Sequence, residues 1–255
     1  MKKYLVANWK MNPVDLQEAE NILSGYLEIN LQSDIELVVC PPRIFLRNLI
    51  EKSGGKFFWG TQNCFWEDIG AYTGEVSVLQ VKKLGAKYVI VGHSERREFL
   101  GETDEMVNKK MKAVFLQKLV PILCIGGGKE AKNKKADALK IVKGQLLSAL
   151  HSLPARTIKN QEFLVTYEPP WALSTVSGNQ SASAKKVAEV SYFIFKLLTK
   201  TYGHQVGKQI PILYGGSVNA ENIQKFSKKL NLAGFLVGGA SLNPKEFAKM
   251  VDLME

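Results

Sequence analysis

Three cysteines and three histidines in 255 residues leave little for the chemistries that depend on them. Cys40, Cys64 and Cys124 are odd in number and widely spaced, with no Cys-x-x-Cys pair, and each sits in or beside an apolar run such as Leu37-Val38-Val39-Cys40. Small buried thiols account for them better than disulfides or metal ligands. No two histidines stand at helical spacing, so no metal site is expected. Long apolar runs are also missing: the one after Met1-Lys2-Lys3 stops at Asn8, short of a signal-peptide core, and no later run is long enough to span a bilayer. No membrane partner and a cytoplasmic location are the expectation.

What the chain does have is a formal net charge of +10 and a 45% hydrophobic content, ample for a buried core. The charge fits nucleic acid, a membrane surface or an anionic small substrate. The densest basic stretch, Lys129 to Lys143 with Lys132, Lys134, Lys135 and Lys140, has no interleaved aromatics and alternates with apolar residues at helical spacing. It reads as a solvated helix face, not a nucleic-acid patch.

Short apolar runs alternate eight times with longer amphipathic stretches. The strands are expected at Tyr4–Trp9, Glu36–Cys40, Phe57–Gln62, Tyr88–Gly92, Pro121–Ile125, Phe163–Tyr167, Ile210–Tyr214 and Gly234–Val237. Their near-continuous apolar character suits parallel strands covered on both faces. Helical patterns lie near 16–30, 43–53, 77–84, 104–118, 130–151, 183–202, 220–229 and 245–254, with start signals at Asp15/Glu18 and Asn243-Pro244/Glu246. With no linker in view, eight units predict one domain over residues 1–255, a single eight-stranded parallel (β/α)8 TIM barrel. Its chemistry then belongs just after the C-terminal ends of the strands.

Those ends carry Asn8-Trp9-Lys10, Gly92-His93-Ser94-Glu95-Arg96-Arg97, Tyr167-Glu168-Pro169, Tyr214-Gly215-Gly216-Ser217 and Val237-Gly238-Gly239-Ala240-Ser241. Taken singly, Lys10 is a surface lysine, His93 a structural histidine and Glu168 a loop cap. Gathered on one rim, a cation, an imidazole and a carboxylate outline a general acid–base site. Each glycine pair alone is a tight turn. Two pairs after adjacent strands, where barrels commonly hold phosphate, favour an anion cradled by backbone N–H groups. Gly126-Gly127-Gly128-Lys129-Glu130-Ala131 only loosely fits a dinucleotide fingerprint, because helix is expected to run on to about His151 where the next strand should begin. It also fails the P-loop pattern: Glu130 follows Lys129 and no glycine stands at Leu123.

Together these segments, with Gln62-Asn63-Cys64 and Gly70-Ala71-Tyr72-Thr73-Gly74-Glu75, resemble the triosephosphate isomerase family from one end of the chain to the other. The resemblance implies interconversion of dihydroxyacetone phosphate and D-glyceraldehyde 3-phosphate through an enediolate, in glycolysis and gluconeogenesis, with no cofactor. It implies that Glu168 shuttles the proton between carbons, that neutral His93 serves the substrate oxygens, that Lys10 and Asn8 stabilise the enediolate, and that Glu95 orients Lys10. It places the phosphate of the triose on Ser174, Ser217, Gly238 and Gly239, and makes the chain a homodimer through the 70–77 loop, with Thr73 near the partner's site. Three positions depart from the family pattern: Ser174 replaces a glycine in a longer lid, Pro170 adjoins Pro169 at the first hinge, and Gly127 stands where glutamate meets the lid Trp171. Intact chemistry with altered lid closure is the expectation. Two other readings stay open: an aldolase-type phosphate-binding barrel using Lys10 as a Schiff base, and a non-catalytic binding protein.

Overall fold

A computed structural model describes residues 2–129, 131, 137–169, 183–227 and 232–254. Eight strands close into a parallel barrel in chain order: β1 (Lys3–Asn8), β2 (Ile35–Cys40), β3 (Phe58–Thr61), β4 (Tyr88–Val91), β5 (Val120–Ile125), β6 (Leu164–Tyr167), β7 (Ile212–Tyr214) and β8 (Gly234–Val237). β1 closes the ring by pairing with both β2 and β8, Leu5 lying opposite Leu37 on one side and Phe235 on the other. This is a (β/α)8 barrel.

Helices α1 (Leu16–Leu27), α2 (Arg43–Lys52), α3 (Val78–Lys83), α4 (Ser94–Phe99), α5 (Asp104–Leu116), α6 (Ala138–Ala149), α7 (Ala155–Asn160), α8 (Ala184–Tyr202), α9 (His204–Gln209), α10 (Ile223–Ser227) and α11 (Pro244–Asp252) are joined by a 3-10 turn over Gly239–Leu242. Asp15 accepts the Glu18 N–H at the start of α1, and Asn243 accepts from Lys245 and Glu246 with Pro244 in the first turn of α11. Each cap satisfies backbone donors that have no partner inside the helix. α6 begins at Ala138, not near 130, because the Asp137 carboxylate accepts the Leu139 and Lys140 N–H groups and fixes the start there. Lys132, Lys134 and Lys135 of the basic stretch lie outside the described residues.

Two apolar layers follow from the alternation of side chains along each strand. One phase points outward and packs under the helices, with Leu5, Ala7, Leu37, Val39, Val89, Val91 and Val165 among its members. The other fills the barrel interior: Tyr4 and Val6, Val38 and Cys40, Tyr88 and Ile90, Val120, Ile122 and Cys124, Leu164, Leu213 and Leu236. Continued two residues past each interior position, the inward phase reaches Asn8 on β1, Thr166 and then Glu168 on β6, Gly215 on β7 and Gly238 on β8. Strand register therefore aims these residues at the C-terminal mouth of the barrel.

Candidate active site

That mouth holds a pocket lined by Asn8, Lys10, His93, Ser94, Glu95, Glu168, Gly215, Gly216, Leu236 and Gly238. Of the residues read from the sequence, Asn8, Lys10, His93, Glu95, Glu168 and Gly238 meet here. Ser217 and Gly239 follow lining glycines without themselves lining the pocket. Ser174, Pro170 and Trp171, with the rest of 170–182, lie outside the described residues.

Lys10 occupies the left-handed region at φ 55°, a costly conformation for a side chain with a Cβ. Its surroundings hold it there. Its N–H donates to Asn8 Oδ1 at 3.1 Å, its carbonyl accepts from Gln62 Nε2 at 2.8 Å, and its ammonium pairs with Glu95 Oε1 at 2.8 Å. Gln62 also donates to the Cys40 carbonyl at 2.9 Å, tying Lys10 to the end of β2. The Lys10 stem passes so close to Gly238 that a Cβ there would stand 3.0 Å from Lys10 Cε. The glycine leaves the lysine its path across the mouth.

His93 caps α4. Its Nδ1 accepts the Glu95 N–H at 3.3 Å, so the proton of the ring sits on Nε2. That end faces Glu168 Oε1 at 3.0 Å, while Glu168 Oε2 accepts the Ser94 N–H at 2.8 Å. The Glu168 side chain is about 2% exposed. A carboxylate buried this deeply needs such partners to remain in place. Behind His93, the buried Glu102 accepts the Gly92 N–H at 3.1 Å and bonds Lys110 at 2.8 Å and Arg96 at 2.5 Å. The Arg97 side chain donates to the Gly92 carbonyl at 2.8 Å. The loop carrying the imidazole is thus fixed from below.

The three cysteines are free and buried. Burial pushes the Cys64 thiol up to about 12 and raises Cys40 and Cys124 as well, so none is a ready nucleophile. Among the described residues no group of three His, Cys, Asp or Glu side chains could hold a metal ion, and no helix is long and apolar enough to cross a membrane.

Sequence reading missed the supporting residues. Gln62 entered only as part of a loop resemblance, and Ser94 and Glu102 not at all as participants. Their bonds go to backbone groups or charges that are distant in sequence, and such bonds leave no periodic trace.

A family profile described as triosephosphate isomerase matches residues 3–254. Among curated proteins, the triosephosphate isomerase of Moorella thermoacetica is 39% identical over 254 residues, covering 99% of each chain. That of Alkaliphilus oremlandii is 38% identical over 255 residues, covering 99% of this chain and 100% of its own. That of Dictyoglomus turgidum is 37% identical over 254 residues, covering 98% of each.

Proposed function

The chain belongs to the triosephosphate isomerase family, and from that premise we propose how its own residues divide the work. The activity is the interconversion of dihydroxyacetone phosphate and D-glyceraldehyde 3-phosphate, a step of glycolysis. Residues 1–255 act as one barrel domain, in the cytoplasm where that pathway runs.

Isomerisation moves a proton between neighbouring carbons and leaves an enediolate in between. It needs one base that reaches both carbons, and fixed donors for the oxygens that become negative. Glu168 is the base. His93 presents Nε2–H to the two oxygens in turn, Lys10 and Asn8 stabilise the negative charge, and Glu95 orients Lys10. Ser217, Gly238, Gly239 and Ser174 hold the phosphate.

The observation that carries the reading is the contact between His93 Nε2 and Glu168 Oε1 at 3.0 Å. Donor and base are satisfied by each other, with the second carboxylate oxygen resting on Ser94. A substrate carbonyl that takes the Nε2 proton as acceptor releases Oε1, and the freed carboxylate turns from Ser94 to the carbon. Substrate binding and arming of the base become one exchange of partners. The aldolase reading leaves this pair without a role.

A coupled assay of triose-phosphate interconversion tests the function directly, and its absence would sink the reading. Glu168→Asp shortens the arm by one methylene and should cut kcat about a hundredfold or more with the fold unchanged by circular dichroism. Near-normal turnover in that variant would remove Glu168 as the base.

The homodimer belongs to the same proposal. Met11, Val14, Ile44, Ile69, Tyr72 and Phe99 are large, apolar and exposed. All follow β1 to β4 in the chain, on the half of the barrel that those four strands build.

A further inference from the structure

The Gly126-Gly127-Gly128 turn after β5 fits no nucleotide motif, yet it forms the wall between the strand ends that carry His93 and Glu168. A Cβ on Gly127 would stand 2.4 Å from Ser94 Cβ. One on Gly126 would stand 2.8 Å from Tyr167 Cε2 and 3.1 Å from the Glu168 carbonyl. Ahead of the turn, the Ile125 carbonyl accepts the Glu168 N–H at 2.8 Å. The turn therefore touches the backbone of Glu168 on one side, and on the other the residue whose N–H grips its carboxylate.

Three successive glycines define no conformation for themselves; they pay the largest backbone entropy on ordering. Gly126 and Gly128 both lie at positive φ, 100° and 116°. Among the described residues, one side chain from α6 bonds both Gly126 and Gly127. Gln145 Oε1 accepts the Gly126 N–H at 2.7 Å, and its Nε2 donates to the Gly127 carbonyl at 2.9 Å. The amide spans the turn as a neighbouring strand would, satisfying one donor and one acceptor together.

We propose that Gln145 is a positioning residue for the isomerisation: by clamping Gly126 and Gly127 it presses the turn against Ser94 and Tyr167 and so fixes where the Glu168 carboxylate rests. Gln145 does not line the pocket. It acts through the turn, and the proposal rests on Glu168 being the base. It also gives Gly127 a reason of its own. With Ser94 where it stands, a Cβ on Gly127 would come within 2.4 Å of it and force one of them to shift, so the glycine sets how closely the turn approaches Ser94.

Gln145→Met keeps length and bulk and removes both bonds. Its kcat should fall roughly ten- to a hundredfold, with KM changed less than about twofold, because a misplaced base weakens the transition state and leaves ground-state binding intact. Gln145→Glu supplies a signature that a purely structural role would lack. A protonated carboxyl mimics the amide, offering one acceptor and one donor, whereas the ionised form loses the donor. The ratio of variant to wild-type kcat should therefore be highest at acid pH and fall as that carboxyl ionises. Gly127→Ala forces the turn off Ser94 from the other side. It should cost kcat similarly, and the double variant should lose less than the product of the two. Wild-type kcat in a folded Gln145→Met, a loss carried by KM, or a Gln145→Glu ratio flat with pH would each overturn the proposal. Failure of the underlying reading shows elsewhere, as an inactive wild type or an unimpaired Glu168→Asp.

Discussion

Glu102 is a carboxylate almost without solvent, and its partners decide its charge. Burial pushes it up, but Lys110 and Arg96, both bonded to Oε2, outweigh that and hold it below its ordinary 4.5. With the folded value depressed, the unfolded chain binds the proton more readily. The stabilisation is present above about pH 4.5 and is lost as pH falls through the folded value. Denaturant titrations between pH 3 and 7 should show a steep acid limb. Glu102→Gln should flatten that limb and cost about 3–5 kcal/mol at neutral pH, because Lys110 is left buried and unpaired. An unchanged acid limb in the variant would contradict this. Lys10, His93 and Glu168 were legible because strand ends select them, and a short list of strand ends is easy to read. Glu102 and Gln145 were not legible. Glu102 lies in the short link between α4 and α5 and Gln145 on the α6 surface, and each depends for its meaning on a contact 8 to 19 positions away that only folding creates.

Elements were legible where they are long and patterned. The strands appeared as apolar runs, displaced by a residue or two at their ends, because both faces are buried and the period of two is masked. α3 and α10, though short, fall where the strand–helix alternation requires a helix. α4, α7 and α9, of six residues each, follow or precede longer elements without a strand between, so that alternation gives no place for them. Nor did the sequence say which phase of each strand faces inward, and Glu36 shows what hangs on it. It shares the inward phase of Val38 and Cys40 but lies at the opposite, N-terminal mouth, where Tyr88, Lys2 and Lys87 converge on it. Both lysines are half-exposed, so they can return to water at little cost. The Tyr88 hydroxyl cannot. Glu36→Gln, which keeps an acceptor, should therefore be milder than Glu36→Leu, which orphans that hydroxyl, by about 1–3 kcal/mol in unfolding free energy. Turnover should be unaffected in both. Equal losses would mean that the ion pairs, not the hydroxyl, govern this end of the barrel.

The apolar residues on the β1 to β4 half of the barrel bear on the whole molecule. Met11, Val14 and Ile69 are 92%, 89% and 87% exposed, and large apolar side chains this open suit burial against a partner. The projecting loop beside them is already ordered. Phe65 packs on Tyr72 at 4.5 Å and on Trp66 at 4.1 Å, and the Phe65 N–H donates to the Val76 carbonyl at 2.8 Å, pinning its base. Docking such a loop costs little further entropy. Met11 also follows directly on Lys10, whose left-handed backbone must be kept from relaxing. An interface that covers Met11 would press on Lys10, proposed here to stabilise the enediolate, so assembly and turnover should fail together even though Lys10, His93 and Glu168 all come from one chain. Sedimentation at micromolar concentration should give about twice the 28.4 kDa of the chain. Met11→Glu combined with Ile69→Glu should yield a folded monomer whose kcat is lower by about tenfold or more. A wild type that sediments as a monomer would end the dimer proposal. A monomeric variant with full turnover would show instead that Lys10 is held from within its own barrel, where Asn8, Gln62 and Glu95 are among its partners.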